Sequence, residues 1–348
     1  MRLEVVKKMS NCRVLSINGE MFYVARGNRF SEMSPTGESR DIANVGSLWE
    51  RELARIRSVR HLLRLGVHHL LRLPSGEFLV VVRKRAYLVN RAGKTQLVFR
   101  FERGNKPGSK GVCVTPGGDI FMAEYAVNGA RTLPMLLHRS RNGGRSFETV
   151  HEFRPGEIAH YHFVQWDRYG DCLWMGTGDT DGECLLYRST DGGDNWTQVG
   201  GGNQSWRAVG LAFRPEAVYW GTDAGWTAGP HPNHVMRLDR NTGTVEKVLE
   251  VQGPCHGNAT LRDGTLLIST GVERGENEKD EYAHLWASRD GTTWEELTRF
   301  KKDMWFRNLQ FGVIRFPVGL ENCDIAVFTC MGLVGAGETG FVARIVDD

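Results

Sequence analysis

The chain has 348 residues, of which 41% are hydrophobic and 24% are charged, as expected for a globular protein with a sizeable core. The net charge is only +3 and the basic residues are scattered, so no nucleic-acid partner is expected. No stretch approaches the roughly 18 apolar residues of a membrane helix. Lys7, Lys8 and Arg13 interrupt any signal-peptide-like run, and seven cysteines show no paired spacing. These features predict a cytoplasmic protein with reduced thiols and no membrane partner, and they leave the oligomeric state open.

The first repeated feature in chain order is a turn glycine, or a substitute for it, followed by an apolar or alternating strand. Each of these segments follows another short apolar strand, as in 162–166 and 208–213. Glycine suits the turn because it adopts positive φ without steric cost. The repeats begin at Gly19, Gly76, Gly118, Gly170, Pro215, Gly264 and Leu320.

A second repeated feature is a turn with a carboxyl or amide side chain, often preceded by Ser and followed by Gly and an aromatic residue. A short side-chain oxygen in such a turn accepts backbone N–H bonds, so a structural role is predicted. The turns recur at intervals of about 50 residues, which is the length of four short strands. The carboxyl or amide positions are assigned to Asn90, Asn142, Asp191, Asn241 and Asp290.

Two segments depart from the repeat. Residues 47–58 lack alternation and favour a short helical insert, and residues 273–281 form a polar run that predicts a long exposed loop. The last repeat has three strands, and residues 3–7 can supply the fourth and remove an open sheet edge. The predicted fold is therefore all-β, a single β-propeller domain over residues 1–348. It has seven blades, with six as the alternative, and is closed by an N-terminal strand.

The segment Ser189–Trp196 carries the complete pattern Ser-x-Asp-x-Gly-x-x-Trp and resembles the Asp-box, or BNR, repeat. The chain is thus similar to the sialidase-like superfamily of carbohydrate-active propellers. The resemblance implies that the boxes lie on one face and that substrate binds the opposite face. Phe22–Arg26 lacks the proline of the sialidase N-terminal signature, so sialic acid is not the expected substrate.

The face opposite the boxes selects a polar set of candidate residues. His160 and His162 alternate on one strand and so share a face, which suits an acid/base pair or metal ligands, although packing is an equal alternative. Asp179 and Asp223 stand at matching strand ends and are candidates for a carboxylate pair, with Asp181 and Glu124 as further carboxylates. The predicted catalytic set is His160, His162, Asp179, Asp223 and Tyr125. The predicted substrate-binding set is Gln204, Arg207, His256, Trp305 and Arg307.

These residues predict an enzyme that cleaves a glycosidic bond in an acidic or polar oligosaccharide by hydrolysis. Arg207 and Arg307 would hold a carboxylate in that scheme. One alternative is a lyase acting on a uronate, with His160 or His162 as base and Tyr125 as acid. Another is a propeller that binds a glycan or a protein without catalysis. No cofactor is predicted, with a divalent metal held by His160, His162, His256 and Gln204 as the alternative.

Overall fold

The computed structural model describes residues 1–306 and 309–347, and nearly all regular structure in them is β. The predicted all-β class is confirmed. The chain forms two compact units. Cys12–Trp166 is called the N-terminal unit, and Asp167–Asp348 with Met1–Asn11 is called the C-terminal unit. None of the helices in the described residues is long and apolar enough to cross a membrane.

The chain begins with β1 (Arg2–Met9), which belongs to the C-terminal unit, and then forms three four-stranded antiparallel sheets in the N-terminal unit. The first sheet contains β2 (Arg13–Asn18), β3 (Met21–Arg26), β4 (Arg29–Met33) and β5 (Ser39–Asn44). The second contains β6 (His69–Arg72), β7 (Phe78–Val82), β8 (Arg85–Val89) and β9 (Thr95–Arg100). The third contains β10 (Val112–Val114), β11 (Ile120–Ala123), β12 (Met135–Ser140) and β13 (Glu148–Phe153). The next strand, β14 (His160–Asp167), runs up to the boundary between the units.

Two short helices, α1 (Leu48–Leu53) and α2 (Arg57–Leu62), occupy the segment for which the sequence predicts a helical insert. Ser47 begins α1 because its backbone N–H and its hydroxyl both donate to Glu50 Oε2, at 2.9 and 2.7 Å. The buried Glu50 carboxylate also pairs with Arg85 of β8. This ion pair ties the insert to the second sheet.

The C-terminal unit continues the same pattern. Its first group contains β15 (Cys172–Gly178), β16 (Leu185–Ser189) and β17 (Thr197–Gly201), followed by a sheet of β18 (Ala212–Phe213), β19 (Ala217–Gly221), β20 (Asn233–Asp239) and β21 (Val245–Val251). The next strands are β22 (Cys255–Thr260), β23 (Leu266–Val272), β24 (Tyr282–Ser288) and β25 (Glu295–Lys301). The last are β26 (Gly312–Arg315), β27 (Ala326–Met331) and β28 (Thr339–Val346). Three-residue 3-10 helices occur at Asp181–Glu183, Gln204–Trp206 and Leu320–Asn322. In chain order, the described strands after β1 make seven groups, as the seven repeats predict.

The N-terminal strand completes the last group. β1 pairs antiparallel with β28, from Arg2 opposite Val346 to Met9 opposite Gly340, with a bulge between Val5 and Lys7. Most side chains of β1 are exposed, so its contribution is mainly backbone pairing along the edge of β28. The predicted closing strand at residues 3–7 is confirmed and is slightly longer than expected.

The repeat turns form as predicted at four of the five positions. Asp191 Oδ1 accepts a hydrogen bond from Asn195 N at 2.9 Å and another from Ser189 Oγ at 2.8 Å. Asn90, Asn142 and Asp290 likewise accept backbone N–H groups of their own turns. The assignment of Asn241 is wrong, because Asp239 Oδ1 accepts the N–H groups of Asn241 and Thr242, both at 3.0 Å.

Alternation along the strands places apolar side chains between neighbouring sheets. In the N-terminal unit, Phe78 of β7 contacts Tyr23 and Phe30 edge to face, with ring centroids 5.2 and 5.4 Å apart. In the C-terminal unit, Tyr219 of β19 and Leu266 of β23 share a buried cluster, against which Trp294 of a repeat turn packs. The sheets are therefore held by contacts between their faces.

Candidate active site

Acidic residues recur in the C-terminal unit just beyond the second strand of each group. Asp179 follows β15, Glu273 follows β23, and Asp223 comes two residues after β19. The apolar strands before them are fully buried. Asp223 and Glu273 are each only 6% exposed. Since burial of an ionised carboxylate is costly unless it is paired, these positions need nearby cations or donors.

Arg207 is the first of these cations and is only 5% exposed. Its two terminal nitrogens donate to the backbone oxygen and to Oδ1 of Asp179, both at 2.9 Å. Its Nε lies 3.7 Å from Asp223 Oδ2. Burial opposes the charge of Arg207, but Asp223 and Asp179 outweigh it and raise the pKa above its usual value. The guanidinium is thus engaged by the protein's own carboxylates.

His256, which lies on β22, is the second basic group. Its Nε2 is 3.0 Å from Glu273 Oε1 and 4.0 Å from Asp223 Oδ1. Burial lowers the pKa of His256, but the contact with Glu273 and the charge of Asp223 outweigh burial, and the pKa is raised overall. Burial alone would raise the pKa of Glu273, yet His256 and Arg207 hold it below its usual value. His256 therefore faces both buried carboxylates through one nitrogen atom.

The prediction that residues 273–281 form an exposed loop is wrong for its first residue and only partly right for the others. Glu273 is buried because it directly continues the buried strand β23. Glu278 turns back, and its carboxylate accepts the N–H groups of Glu273 and Gly275 at 2.6 and 3.2 Å. Glu273, like Asp179 and Asp223, stands just beyond a buried second strand, so its position also indicates a site residue. The charged residues that follow Glu273 instead favour an exposed loop.

The side chains of Asp223, His256 and Glu273 face a common position. One oxygen or nitrogen atom of each lies within 4.8 Å of the corresponding atoms of the other two. His284 provides a contrast in the same unit. Its Nε2 contacts Asp280 at 3.0 Å, but its Nδ1 contacts Glu296 at 3.2 Å, so the two acids meet different edges of the ring. Only the first arrangement can direct a proton, or a cation, towards a common position.

The other predicted site residues of the C-terminal unit that the structure describes are Gln204 and Trp305, and each donates to residues outside the cluster of Asp223, His256 and Glu273. Gln204 Nε2 donates to the backbone oxygen of Asp179 at 3.1 Å and to Asp181 Oδ1 at 2.9 Å, so it contacts partners other than those of His256. Trp305 is partly buried, and its backbone N–H donates to Asp303 Oδ1 at 3.1 Å. Arg307 lies outside the described residues.

Three predicted residues belong to the N-terminal unit and meet there. The rings of His160 and His162 are buried and their centroids are 5.2 Å apart. The Tyr125 ring lies 4.0 Å from that of His160, and His160 Nδ1 is 3.2 Å from the backbone oxygen of Ala126. Tyr125 is 37% exposed and forms the accessible side of this aromatic group.

No protein-family model matches the chain, and no curated protein matches it in sequence. Several solved structures resemble it. An oligogalacturonate lyase in complex with manganese has a TM-score of 0.64 at 10% identity, over 100% of this chain and 97% of that one. Virginiamycin B lyase from Staphylococcus aureus has a TM-score of 0.61 at 12% identity, over 99% of both chains. The GH74 xyloglucanase from Xanthomonas campestris has a TM-score of 0.62 at 14% identity, over 95% of this chain and 52% of that one. These similarities show the fold, which is that of β-propeller proteins, as predicted.

Proposed function

We propose that the protein is a carbohydrate-active enzyme that hydrolyses a glycosidic bond in a polar oligosaccharide. The observation that carries this proposal is the convergence of Asp223, His256 and Glu273 on one point in the C-terminal unit. The repeat turns, which resemble Asp-boxes, support a place among the sialidase-like propellers. The fold is also shared with a xyloglucanase and an oligogalacturonate lyase, two proteins whose names refer to saccharides.

In this proposal each group of the cluster has a separate role. Glu273 lies 3.0 Å from His256 Nε2 and keeps the imidazole charged and oriented. Because Glu273 engages the proton on Nε2, the imidazolium gives the proton on Nδ1 to the leaving glycosidic oxygen. Asp223, whose Oδ1 is 4.0 Å from His256 Nε2, attacks the anomeric carbon and forms a glycosyl ester. Water then hydrolyses this ester, and the neutral imidazole takes up the proton of the water, which restores the charged His256 and the free Asp223 carboxylate. The anomeric carbon is inverted once when Asp223 attacks and once when water attacks, so the proposal implies retention of configuration.

The charges of the cluster favour a neutral polar saccharide over an acidic one. Asp179, Asp223 and Glu273 carry three negative charges, whereas Arg207 and protonated His256 carry two positive charges. Because Arg207 already donates to Asp179 and faces Asp223, a substrate carboxylate would have to compete with both. Arg207 acts here as a positioning residue and not as a carboxylate clamp.

The test is a screen of xyloglucan oligosaccharides and oligogalacturonates for new reducing ends, followed by the variant Glu273→Gln on any substrate that is cleaved. We expect Glu273→Gln to lower kcat by roughly 10²–10⁴-fold, because general acid catalysis by His256 depends on that carboxylate. Glu296→Gln is the matched control, since Glu296 contacts His284 and not the cluster. Equal activity of wild type and Glu273→Gln would refute the assigned roles. Binding of a saccharide without cleavage would favour a non-catalytic propeller.

A lyase that acts on a uronate is the second candidate. It is supported by the two oxygen ligands and one nitrogen ligand of the same cluster, which suit Mn²⁺ or Zn²⁺. A divalent ion held there would neutralise a uronate carboxylate. A lyase would form an unsaturated product that absorbs in the ultraviolet and would lose activity in a chelator. A hydrolase would form no product that absorbs in the ultraviolet and would stay active in a chelator. An absorbance assay with and without a chelator therefore separates the two candidates.

A further inference from the structure

Trp226 and Trp49 are both about half exposed, and of the two only Trp226 lies in the C-terminal unit, which contains the candidate active site. The Trp226 side chain is 49% exposed, whereas Trp174 and Trp220 are almost fully buried. Trp226 stands three residues beyond Asp223, on the loop that leaves the buried strand β19. A large exposed aromatic group beside buried charges is a feature of binding sites more than of ordinary surfaces.

The loop that carries Trp226 is held in place at several points. Asn277 Nδ2 donates to the backbone oxygens of Ala224 and Gly229, at 3.0 and 2.6 Å, and Asn277 Oδ1 accepts the backbone N–H of His231 at 2.8 Å. Gly275 packs so closely that a Cβ there would lie 3.0 Å from Trp226 Cα. The indole is therefore presented by an ordered backbone, which reduces the entropy lost when a ligand binds.

The same loop is joined directly to the candidate active site. The backbone N–H of Trp226 donates to the Glu273 carboxylate. Thr227, the next residue along the chain, accepts hydrogen bonds at Oγ1 from both terminal nitrogens of Arg207, each at 3.3 Å. An apolar aromatic surface thus adjoins a cluster of charged hydrogen-bonding groups. A pyranose ring has the matching chemistry, because one face presents C–H groups and the rim presents hydroxyls.

We propose that Trp226 is a platform on which a pyranose ring of the substrate stacks, with the adjoining bond directed towards Asp223, His256 and Glu273. This inference rests on the proposed function, since it takes a saccharide as the ligand. It assigns a substrate-binding role to a residue that takes no part in the chemistry. Removal of the ring should weaken binding and leave the acid/base groups in place.

The experiment compares Trp226→Ala, Trp226→Phe and Trp49→Ala with the wild type, by calorimetric titration with xyloglucan heptasaccharide and trigalacturonate. Trp49 is the matched control, because it is 48% exposed and belongs to the N-terminal unit. We expect Trp226→Ala to raise Kd at least about tenfold and Trp226→Phe to retain most of the affinity, because the phenyl ring preserves stacking. Trp49→Ala should bind like the wild type. In turnover assays, KM should rise in Trp226→Ala with little change in kcat.

The outcomes separate this inference from the proposed function. Unchanged affinity of Trp226→Ala for a saccharide that the wild type binds and cleaves would overturn the platform and leave the function standing. Weakened binding of a saccharide that is never cleaved would support the platform and refute the enzyme. Failure of the wild type to bind either saccharide would count against both.

Discussion

Among the single residues of the candidate site, Arg207 serves mainly to neutralise the carboxylates of Asp179 and Asp223. The guanidinium is buried, donates to Asp179 and lies beside Asp223. A buried charge whose partner is removed has neither water nor a counter-charge to stabilise it. The strongest effects of mutation at this site should therefore appear in stability as well as in activity.

We predict that Arg207→Ala destabilises the protein by about 3–5 kcal/mol, because Asp179 and Asp223 lose their common cation. The free energy of unfolding is measured by urea denaturation, with the midpoint and slope fitted separately. Arg168→Ala, at an exposed position, should change it by less than about 0.5 kcal/mol. A loss below about 1 kcal/mol for Arg207→Ala would show that the two carboxylates do not depend on this side chain.

Several site residues could be predicted from the sequence, because the repeat locates the ends of its strands. The strand ends predict Asp223 and Arg207 as site residues, and the structure brings the two side chains next to each other. Glu273 is not among the predicted site residues, because the run of charged residues that it begins predicts a solvated loop. Sequence could not show that Arg207 is already paired, because the pairing depends on which side chains meet across neighbouring loops.

At the scale of elements, the repeat turns are small units that depend on one ionised or amide side chain. Asp191 accepts backbone and side-chain bonds from Asn195 and a bond from Ser189. These bonds favour the ionised form and lower the pKa of Asp191 to about 2. Asn142 makes equivalent bonds without a charge, so the geometry of the turn tolerates either side chain.

The lowered pKa gives Asp191 a defined effect on stability. A carboxyl group whose pKa is lower in the folded state stabilises the fold above its unfolded pKa, near 4, and loses that effect as the pH falls towards about 2. We therefore expect the melting temperature of Asp191→Asn to fall less than that of the wild type between pH 4 and pH 2. Asp171→Asn, at an exposed position, serves as the control. Parallel melting curves for wild type and Asp191→Asn over this range would contradict the prediction.

The order of the strands could be predicted for a related reason. A turn glycine, or a substitute for it, joins the first two strands of each repeat, and at five positions a turn with an oxygen acceptor joins the third strand to the fourth. The register within a turn was harder to predict. At residues 239–243 the repeat predicts Asn241 as the acceptor, because Asn241 stands two residues before Gly243. The structure uses Asp239, because its oxygen reaches the N–H groups two and three residues ahead. Local composition alone does not distinguish the two.

At the scale of the whole molecule, the two ends of the chain meet in one sheet. β1 comes first in the sequence and pairs with β28, the last strand, while Cys12–Trp166 forms a separate compact unit between them in sequence. The last sheet can therefore be completed only after the final strand has been synthesised. Pairing between strands so distant in sequence is slow to form, because the long intervening chain must first be ordered.

We predict that deletion of residues 1–9 leaves the edge of β28 unpaired and causes self-association. Seven residues of β1 pair with β28, whereas most β1 side chains are exposed, so the loss is one of backbone hydrogen bonds. Size-exclusion chromatography with light scattering should show larger species than the full chain forms, and urea should unfold the truncated protein at a lower concentration. Val6→Thr is the control, because Val6 lies at the bulge, is 56% exposed and has no partner residue in the register. A synthetic peptide of residues 1–9 should restore the original elution volume by pairing with the free edge. An unaltered elution volume and unfolding midpoint in the truncated protein would show that β26, β27 and β28 are stable without β1.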